Sequence, residues 1–382
     1  MKKENMIFRL KMEIASLVNE MVSKLPETLF LSDSTTFLDP SMASGQYVAA
    51  IEQRLRTHGH SDENIKSRVF GVEKNMLRVN YAIKKNKLVG TYSVDVNDIP
   101  SILIGNMKFD CIVGNPPYQK RVGERKTEPL WHIFVENSIK SLKDGGYLCL
   151  VHPPGWRDVA GKFKEVGNLM TSKDIQYLEM HSKSDGNKTF NATIPYDWYV
   201  MQNVPNNGKT TVKFQDGDVK VLDLLKIEFL PNGAFDSVTS LFAKSGEKQV
   251  EILWNCDYHT QRIDFMADEK TTKFKYPIVY TVKRGDEVNL WWSSVKKGHF
   301  GIPKVIWSNG GITMGMVVDE TGKYGLTQFA YAVVDTPKNL HKIKQALTSD
   351  KFKKLVVDST NDGSINRKVL ALFRKDFYKE FI

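Results

Sequence analysis

The chain has 382 residues, of which 41% are hydrophobic and 26% charged, so it is long enough for two globular domains with separate cores. Its formal net charge of +10 favours polyanionic partners, although charge carries no information about the fold. The sequence contains no apolar run long enough to span a membrane and no signal-like apolar segment at its start. Cys111, Cys149 and Cys256 are far apart and lie in apolar surroundings. We therefore expect buried thiols, no metal site, no membrane partner and a cytoplasmic protein.

Strand-like and helix-like patterns alternate through the first half of the chain. Helical spacing of apolar residues predicts an amphipathic helix that begins near residue 6. Strand patterns and helical patterns then follow each other to about residue 202, with a basic loop at 119–128. Such alternation is typical of a doubly wound parallel sheet. The predicted strands are 36–39, 67–73, 90–96, 109–114, 147–151 and 197–202.

Acidic residues follow three successive strand patterns. Asp39 ends the first strand, before a loop of small residues, where a cationic or amino-bearing ligand would be favoured. That loop leads into a helix N-terminus, which exposes backbone N–H groups, but it matches neither a dinucleotide motif nor a P-loop. Glu73 ends the second strand, where α/β folds bind ribose hydroxyls. Asp98, or Asp95 beside it, is placed to meet a purine amino group.

The sequence Asn115-Pro116-Pro117-Tyr118 comes directly after the fourth strand pattern. The two prolines end the strand, because neither has an N–H to donate and each fixes φ. Asn115 offers a side-chain acceptor, Pro116 a carbonyl acceptor and Tyr118 an aromatic face. Together they suit a planar ring that carries an amino group. An isolated motif of this kind is more often an ordinary turn, so the acidic strand ends upstream are what favour a binding site.

A set of short segments, taken in chain order, carries a family resemblance. They are Phe37-Leu38-Asp39-Pro40, Ser44-Gly45, Phe70-Gly71-Val72-Glu73, Asp98, Asn115-Pro116-Pro117-Tyr118, Leu130-Trp131, Phe134, Gly145-Gly146 and Pro153-Pro154-Gly155-Trp156. In this order they resemble S-adenosylmethionine-dependent amino methyltransferases of DNA, and most closely the gamma class, Taq-type adenine-N6 methyltransferases. The resemblance implies a Rossmann-like methyltransferase sheet followed by a target-recognition domain. It also implies S-adenosylmethionine as the cofactor and duplex DNA as the substrate.

The resemblance assigns roles to individual residues. It implies a catalytic role for Asn115-Pro116-Pro117-Tyr118, with adenine flipped out of the duplex and stacked on Tyr118. In this family an aromatic residue packs on the other face of the base, and Phe190 lies in a comparable place, although a core position is the alternative for it. The implied biological role is restriction-modification, with a separately encoded endonuclease as a candidate partner, or phage DNA protection. The implied cofactor-binding residues are Asp39, Pro40, Ser44, Gly45, Glu73 and Asp98.

The pattern changes after residue 204, where turns rich in Asn, Gly and Asp separate short strand patterns. We predict a linker at 205–208, a catalytic domain at 1–205 and an α+β target-recognition domain at 206–382. Residues 288–307 interleave Trp, Phe and His with lysines, a mixture that suits a nucleic-acid surface; a core strand with a wet face is the alternative. Candidate DNA contacts are the basic residues Lys120, Arg121, Arg125, Lys126, Lys296 and Lys297.

Three other functions fit parts of this pattern. Asn in the first motif position favours adenine within the family, and cytosine N4 is the alternative target. An RNA or protein-glutamine methyltransferase shares the motif, but the long C-terminal half argues for DNA. A non-catalytic DNA-binding subunit would bind S-adenosylmethionine without methyl transfer, and the intact Asn115, Tyr118 and Glu73 argue against it.

Overall fold

The computed structural model of the protein describes residues 2–124, 126–158, 161–254, 258–261, 264–308, 315–360 and 365–382, with side chains from residue 12 onward. The chain divides into two compact units, Met1–Leu230 and Pro231–Ile382. The sequence had suggested a boundary near residue 205. The difference arises because two further strands, which end at residue 222, extend the sheet of the first unit.

The first unit contains both helices and strands. Its helices are α1 (Lys2–Ser23), α2 (Thr28–Leu31), α3 (Gln46–Thr57), α4 (Asp62–Arg68), α5 (Met76–Asn86), α6 (Ser101–Ile104), α7 (Trp131–Ser141), α8 (Lys164–Thr171) and α9 (Lys183–Phe190). Its strands are β1 (Phe37–Asp39), β2 (Val69–Glu73), β3 (Thr91–Val94), β4 (Phe109–Gly114), β5 (Gln119–Val122), β6 (Lys126–Pro129), β7 (Leu142–His152), β8 (Lys173–His181), β9 (Tyr196–Pro205), β10 (Thr210–Lys213) and β11 (Val219–Leu222). Short 3-10 helices lie at Pro154–Arg157 and Leu224–Lys226.

Within the described residues, nine of these strands form one mixed sheet in the order β11-β10-β8-β9-β7-β4-β1-β2-β3. β1 pairs in parallel with β2 on one side and with β4 on the other, whereas β9 runs antiparallel to β7 and β8. The chain builds the sheet outward from β1 in one direction and then from β4 in the other. This is the predicted Rossmann-like doubly wound sheet, but the expected parallel pairing does not hold at β9 and β11. β8, β10 and β11 were not among the predicted strands. The point between β1 and β4 is its topological switch point, where such folds bind ligands.

Both faces of the sheet are covered by helices. Phe37, Cys111 and Val113 belong to a buried core cluster that also contains the apolar residues of α1 and α3. The alternate strand residues, Leu38 and Ile112, are equally buried and point to the opposite face because side chains alternate along a strand. On that side α7 packs against β7 and α8.

The predicted elements of the first half are present, with ends displaced by a few residues. The predicted loop at 119–128 is different. Its ends form an antiparallel hairpin of β5 and β6, in which Gln119 pairs with Pro129. Gly123 has a positive φ of 71° at the turn, a conformation that glycine adopts without steric cost.

The second unit has an α+β architecture, as predicted. Its strands are β12 (Glu251–Leu253), β13 (Met266–Ala267), β14 (Tyr276–Val282), β15 (Val288–Ser293), β16 (Lys304–Ser308), β17 (Met316–Asp319), β18 (Gly325–Leu326) and β19 (Ala330–Val334). In the part of the chain that the structure describes, they form two four-stranded sheets with the orders β12-β19-β16-β17 and β13-β15-β14-β18. The helices are α10 (Phe235–Thr239), α11 (Pro337–Thr348), α12 (Asp350–Ser359) and α13 (Arg367–Leu370), with a 3-10 helix at Phe377–Glu380.

Cys111 and Cys149 are buried free thiols, and burial raises the pKa of each. Cys256 lies outside the described residues. Among the residues described, no helix combines the length and apolar character needed to cross a bilayer. Across the same residues, no three His, Cys, Asp or Glu side chains come together as a set of metal ligands.

Candidate active site

The loop between β1 and α3 is held in place by backbone hydrogen bonds. The Met42 amide donates to the Val72 carbonyl at 2.8 Å, which ties the loop to β2. Gly45 takes a φ of 76° at the start of α3, a left-handed conformation that favours glycine. The Asn86 side-chain amide donates to the Ser44 carbonyl at 2.8 Å. The N-terminus of α3 therefore starts from a loop of fixed geometry.

The other predicted residues of this loop have mainly structural contacts. Pro40 is buried directly after Asp39. Ser44 is half-buried, and its hydroxyl lies 2.7 Å from Gln46 Oε1. The backbone of this loop, rather than these two side chains, is therefore the part that a ligand would contact.

Asp39 is a buried carboxyl group at the end of β1, with 1% of its surface exposed. Its Oδ1 accepts a hydrogen bond from the Ser41 amide at 3.0 Å, while Oδ2 is buried without a hydrogen-bond partner among the described residues. Burial raises the pKa of Asp39 to about 7; the Ser41 amide opposes this and the negative charge of Glu73 adds to it. A buried acceptor without a donor is costly. The Asp39 carboxyl group is therefore well suited to a ligand that brings a cationic or N–H donor.

Gly114, the last residue of β4, makes room for Asp39. A Cβ atom at position 114 would lie 2.7 Å from Asp39 Oδ1 and 3.4 Å from its Cγ, and the first of these distances is shorter than van der Waals contact allows. Only glycine at this position leaves the carboxyl group where it is.

Glu73 lies at the same edge of the sheet, because Asp39 and Gly71 are partners in the parallel register of β1 and β2. Its side chain is only 10% exposed, and its Oε1 is 3.7 Å from Arg78 Nη1. The same oxygen accepts a hydrogen bond from the Asn75 amide at 3.2 Å. Glu73 is therefore an anchored carboxylate close to Asp39.

Asp98 and Asp95 are already engaged by other groups of the protein. Asp98 is exposed and pairs with Lys74 at 2.7 Å and with Lys120 at 3.4 Å; its hydrogen bond from Lys74 holds its pKa below the usual value. Asp95 accepts hydrogen bonds from the Asn97 and Ser101 amides. A purine amino group would have to compete with these partners.

The four motif residues 115–118 lie beyond β4, next to the loop that follows β1. The Ser41 hydroxyl donates to the Asn115 backbone carbonyl at 3.1 Å. The Asn115 side chain is half-buried and makes no hydrogen bond within the described part of the chain. Pro116 is buried and Pro117 exposed. Ser41 thus links the Asn115 backbone to the loop that follows Asp39, and among the described residues the Asn115 side-chain oxygen is unengaged.

Tyr118 is fixed at its backbone, where its carbonyl accepts the Leu130 amide at 3.0 Å. Its hydroxyl is buried and has no hydrogen-bond partner among the described residues, and burial raises the pKa of Tyr118. Its ring meets the Phe190 ring edge to face, with centroids 6.4 Å apart and an interplanar angle of 84°. The two rings are therefore not parallel and do not form two faces of a sandwich around a base.

Phe190 packs against a row of stacked side chains that the sequence analysis did not predict. The Phe190 ring lies 5.0 Å from the Tyr196 ring at 69°, and Tyr196 is stacked on His181 at 4.4 Å and 7°. His181 Nε2 lies 3.3 Å from Glu179. Burial opposes ionisation of Glu179, but the nearby His181 and hydrogen bonds from Lys213 and Tyr177 hold its pKa at about 2. No spacing in the sequence predicts this row of side chains, because its members belong to three different elements.

The residues around the carboxyl end of β7 form a packing cluster. His152 is fully buried, stacks on Trp131 at 4.6 Å and 14°, and burial lowers its pKa to about 4. Trp156 donates its ring N–H to Asp197 at 3.0 Å, and Arg157 Nε lies 2.9 Å from the same carboxylate oxygen. These buried residues support the motif at 115–118 by packing and do not line a binding surface.

The predicted DNA-contacting residues fall into two groups. On the β5–β6 hairpin, Lys120 pairs with Asp98, Lys126 pairs with Glu128 at 3.0 Å, and Arg121 is exposed; Arg125 lies outside the described residues. In the second unit, Lys296 and Lys297 are exposed.

Part of the predicted aromatic and basic surface at 288–307 belongs to the core. Lys304 and Trp307 have 0% and 2% of their surface exposed. Lys304 is buried because it pairs with Asp319 at 2.9 Å, and Trp307 because β16 is covered on both sides. The prediction of a surface position was wrong for these two residues.

Known proteins resemble the region that contains the site. Residues 17–184 match the model of the Eco57I restriction-modification methylase family. The matched range is less than half of the chain; it contains Asp39, Glu73 and Asn115 to Tyr118, and it ends before Phe190 and the second unit. Over this range the chain is similar to a restriction-modification methylase. No curated protein matched the chain.

Solved structures with a similar arrangement are distant in sequence. The type I restriction enzyme EcoKI M protein aligns at 14% identity over 50% of this chain and 43% of its own, with a TM-score of 0.41. The type I restriction-modification methyltransferase subunit from Streptococcus thermophilus gives 18% identity over 55% and 49%, with a TM-score of 0.37. The type IIG restriction endonuclease BpuSI gives 9% identity over 98% and 60%, with a TM-score of 0.43. The chain spans about half the length of the first two proteins.

Proposed function

We propose that this protein transfers a methyl group from S-adenosylmethionine to the N6 amino group of adenine in duplex DNA, as the modification enzyme of a restriction-modification system. The observation that carries the proposal lies at the switch point of the sheet, where Ser41 joins the loops that carry Asp39 and Asn115. Among the described residues, one buried carboxyl oxygen of Asp39 has no hydrogen-bond donor and the Asn115 side-chain amide is unengaged. The match of residues 17–184 supports the class of reaction. Phage DNA protection is an equivalent biological setting for the same chemistry.

The residues at the strand ends fit the cofactor. Asp39 Oδ2 has no donor among the described residues, and the ammonium group of an amino-acid moiety would supply one. The amides at the N-terminus of α3 suit a carboxylate, and Glu73 suits ribose hydroxyls. When bound, S-adenosylmethionine supplies a methyl group activated by the sulfonium centre.

Asn115 and Pro116 would prepare the amino group for attack. The lone pair of an exocyclic amine is delocalised into the base, which makes the nitrogen a poor nucleophile. If the Asn115 side-chain oxygen and the Pro116 carbonyl each accept one amino hydrogen, the nitrogen moves toward tetrahedral geometry and its lone pair is freed. No general base is needed at this step, and the proton can leave to water afterwards. Holding the nitrogen in line with the methyl group would supply much of the rate.

Tyr118 would hold the base outside the duplex. Extrusion of a base costs a few kcal/mol of stacking and pairing energy, and stacking on an aromatic ring recovers part of it. Phe190, whose ring is nearly perpendicular to that of Tyr118, would contact the base beside Tyr118. We assign target recognition to the C-terminal unit, whose exposed basic residues include Lys296 and Lys297.

Methylation mapping tests this function directly. DNA from cells that express the protein should carry N6-methyladenine at one recurring sequence, and DNA from cells that express Asn115→Ala should not. Methyl groups at cytosine N4 instead would show that the target base is cytosine and not adenine. Methylation of RNA or of glutamine without DNA methylation would contradict the assignment to DNA. Binding of S-adenosylmethionine and DNA with no methyl transfer would identify a non-catalytic subunit.

A further inference from the structure

The positive charge of the second unit is concentrated in one stretch of its sequence. Residues 231–382 contain 23 basic and 17 acidic residues, and residues 270–304 alone contain eight basic and two acidic residues. The excess of six positive charges in this stretch equals that of the whole unit. A local excess of this kind favours a polyanion at one place rather than over the whole surface.

This stretch contributes most of the lining of a cavity of about 540 Å³. Four exposed lysines stand around it, and three aromatic residues form part of its wall. In the part of the chain that the structure describes, none of the four lysines pairs with a carboxylate. The lysines are Lys270, Lys275, Lys296 and Lys323, and the aromatic residues are Tyr276, Trp292 and Phe300.

Three of these lysines lie over the aromatic rings. Lys270 Nζ is 5.1 Å from the Trp292 ring centroid. The corresponding distances are 5.4 Å from Lys275 to Tyr276 and 5.7 Å from Lys296 to Phe300. Such contacts are weak at exposed sites. The ammonium groups are therefore available to an anionic ligand, and the rings to a planar one.

A buried ion pair fixes the two loops that complete the cavity. Lys304 Nζ donates to Asp319 at 2.9 Å and to the His299 and Ile302 carbonyls at 3.0 Å each. Asp319 in turn accepts the Lys323 amide at 2.7 Å and the Tyr324 amide at 2.9 Å. One ion pair therefore holds the loops at 299–302 and 320–324 together. All three donors of the ammonium group are used, which is the condition under which a buried charge is tolerated.

The two loops also touch directly. The Gly301 amide donates to the Gly322 carbonyl at 2.8 Å. Gly322 has a φ of 69°, and a Cβ at this position would collide with the Ile302 amide. The cavity is thus formed before any ligand arrives, which lowers the cost of binding.

We propose that this cavity holds one unpaired nucleotide of a DNA strand, with its phosphate on the lysines and its base against the aromatic wall. The volume lies within the roughly 300–1,000 Å³ that is usual for small-ligand sites. A basic rim with aromatic faces is the arrangement by which proteins hold single-stranded nucleic acid. The choice of DNA rests on the proposed function, whereas the nucleotide class follows from the cavity.

Binding of fluorescent oligonucleotides to the full chain tests the proposal. A single strand and a duplex of the same sequence are titrated at several salt concentrations. The double variant Lys270→Ala/Lys296→Ala should weaken binding and, for the single strand, reduce the salt slope by about 1.4 if both phosphate contacts are lost. Lys338→Ala/Lys342→Ala, which removes the same charge from exposed positions on α11, should have a much smaller effect.

Variants of Trp292 distinguish binding of a whole nucleotide from contact with phosphate groups alone. Trp292→Leu should weaken single-strand binding by on the order of 10-fold, while Trp292→Phe should keep most of the affinity because it keeps a ring. If the lysine variant binds the single strand more weakly but Trp292→Leu binds it as the wild type does, the protein contacts only the phosphate backbone of the strand. That result would overturn the proposal. Equal binding by all variants would overturn it as well.

Methyl transfer, measured in parallel on the same samples, distinguishes the two proposals. If the wild-type protein methylates DNA and the cavity variants bind as it does, the cavity proposal fails and the proposed function stands. If the wild-type protein transfers no methyl group and binding still depends on Lys270, Lys296 and Trp292, the proposed function fails and the cavity proposal stands. Circular dichroism of Trp292→Leu and Trp292→Phe verifies that each variant is folded.

Discussion

The Ser41 hydroxyl donates a hydrogen bond to the Asn115 backbone carbonyl over 3.1 Å. This contact links the loop after β1 to the loop after β4, on either side of the switch point of the sheet. The Ser41 amide donates to Asp39 at the same time. Ser41 thus positions Asp39, the carboxyl group proposed to bind the cofactor, through its backbone amide. Through its hydroxyl it positions Asn115, whose side-chain amide is the proposed catalytic group.

Ser41→Ala should separate these two effects. The variant loses the bond to Asn115 and keeps the amide bond to Asp39, so S-adenosylmethionine affinity should stay within about 2-fold while the single-turnover rate falls by about 2- to 10-fold, the equivalent of one hydrogen bond. Ser44→Ala is the matched control, because its hydroxyl contacts Gln46 instead. An unchanged rate in Ser41→Ala would show that this contact does not position the motif.

Asn115→Ala should separate chemistry from binding. It removes one acceptor for the amino group and leaves Tyr118 in place, so DNA and cofactor should still bind. The rate of transfer of a labelled methyl group should fall by on the order of 100-fold or more, as is typical for loss of one transition-state interaction. Single-turnover kinetics, with binding measured alongside, provide the test. Methylation at the wild-type rate would show that the amino group is held elsewhere.

Tyr118 should respond differently to loss of its hydroxyl and loss of its ring. The hydroxyl is buried without a partner among the described residues, and such a group costs about 1–3 kcal/mol. Tyr118→Phe should therefore raise the melting temperature and retain much of the activity, since stacking needs only the ring. Tyr118→Ala should lower both DNA affinity and rate. A lower melting temperature in Tyr118→Phe would mean that the hydroxyl has a partner in solution.

Asp39 should make stability and cofactor binding depend on pH in opposite directions. Its folded pKa of about 7 lies above the value of an unfolded chain, so the folded state holds a proton that the unfolded state releases. Stability should therefore fall as pH rises from about 4 to 7 and then level off, by on the order of 4 kcal/mol for a shift of this size. Affinity for S-adenosylmethionine should rise over pH 6 to 8, as the carboxylate forms.

Asp39→Asn tests both parts of this prediction. The variant should be more stable than the wild type at pH 8 by thermal or urea unfolding, and it should bind the cofactor weakly, with the pH dependence removed. Calorimetry across pH 6 to 8 gives the binding curve. A wild-type affinity in Asp39→Asn would remove this carboxyl group from the cofactor site.

The sequence predicted the sheet because local periodicity determines strands and helices, and the alternation of these elements restricts how they assemble. It also predicted that Asp39, Glu73 and Asn115 share one edge, since parallel strands end at the same edge. The Ser41 contact and the row of stacked side chains next to Phe190 join residues far apart in sequence, and no local pattern encodes such pairs. The roles of the site residues and of the DNA contacts stay predictions.

Lys304 shows why a charged residue can mislead sequence interpretation. Lysine is rarely buried unless it is paired, and 288–307 therefore suggested a surface. The compensating carboxylate, Asp319, is fifteen residues away in the sequence and next to Lys304 only through the antiparallel pairing of β16 and β17. The hairpin of β5 and β6 was missed for a different reason, because its strands are short, polar and largely exposed.

Gly114 and Asp39 form a pair that constrains how this protein can change. Any side chain at position 114 would push the carboxyl group aside, so mutation of the glycine alone should be lost from a population that needs the carboxyl group. Once Asp39 has become a small residue, that constraint disappears and position 114 is free to vary. Descendants that have abandoned the activity should therefore be recognisable by substitutions at both positions, with the change at 39 preceding the change at 114.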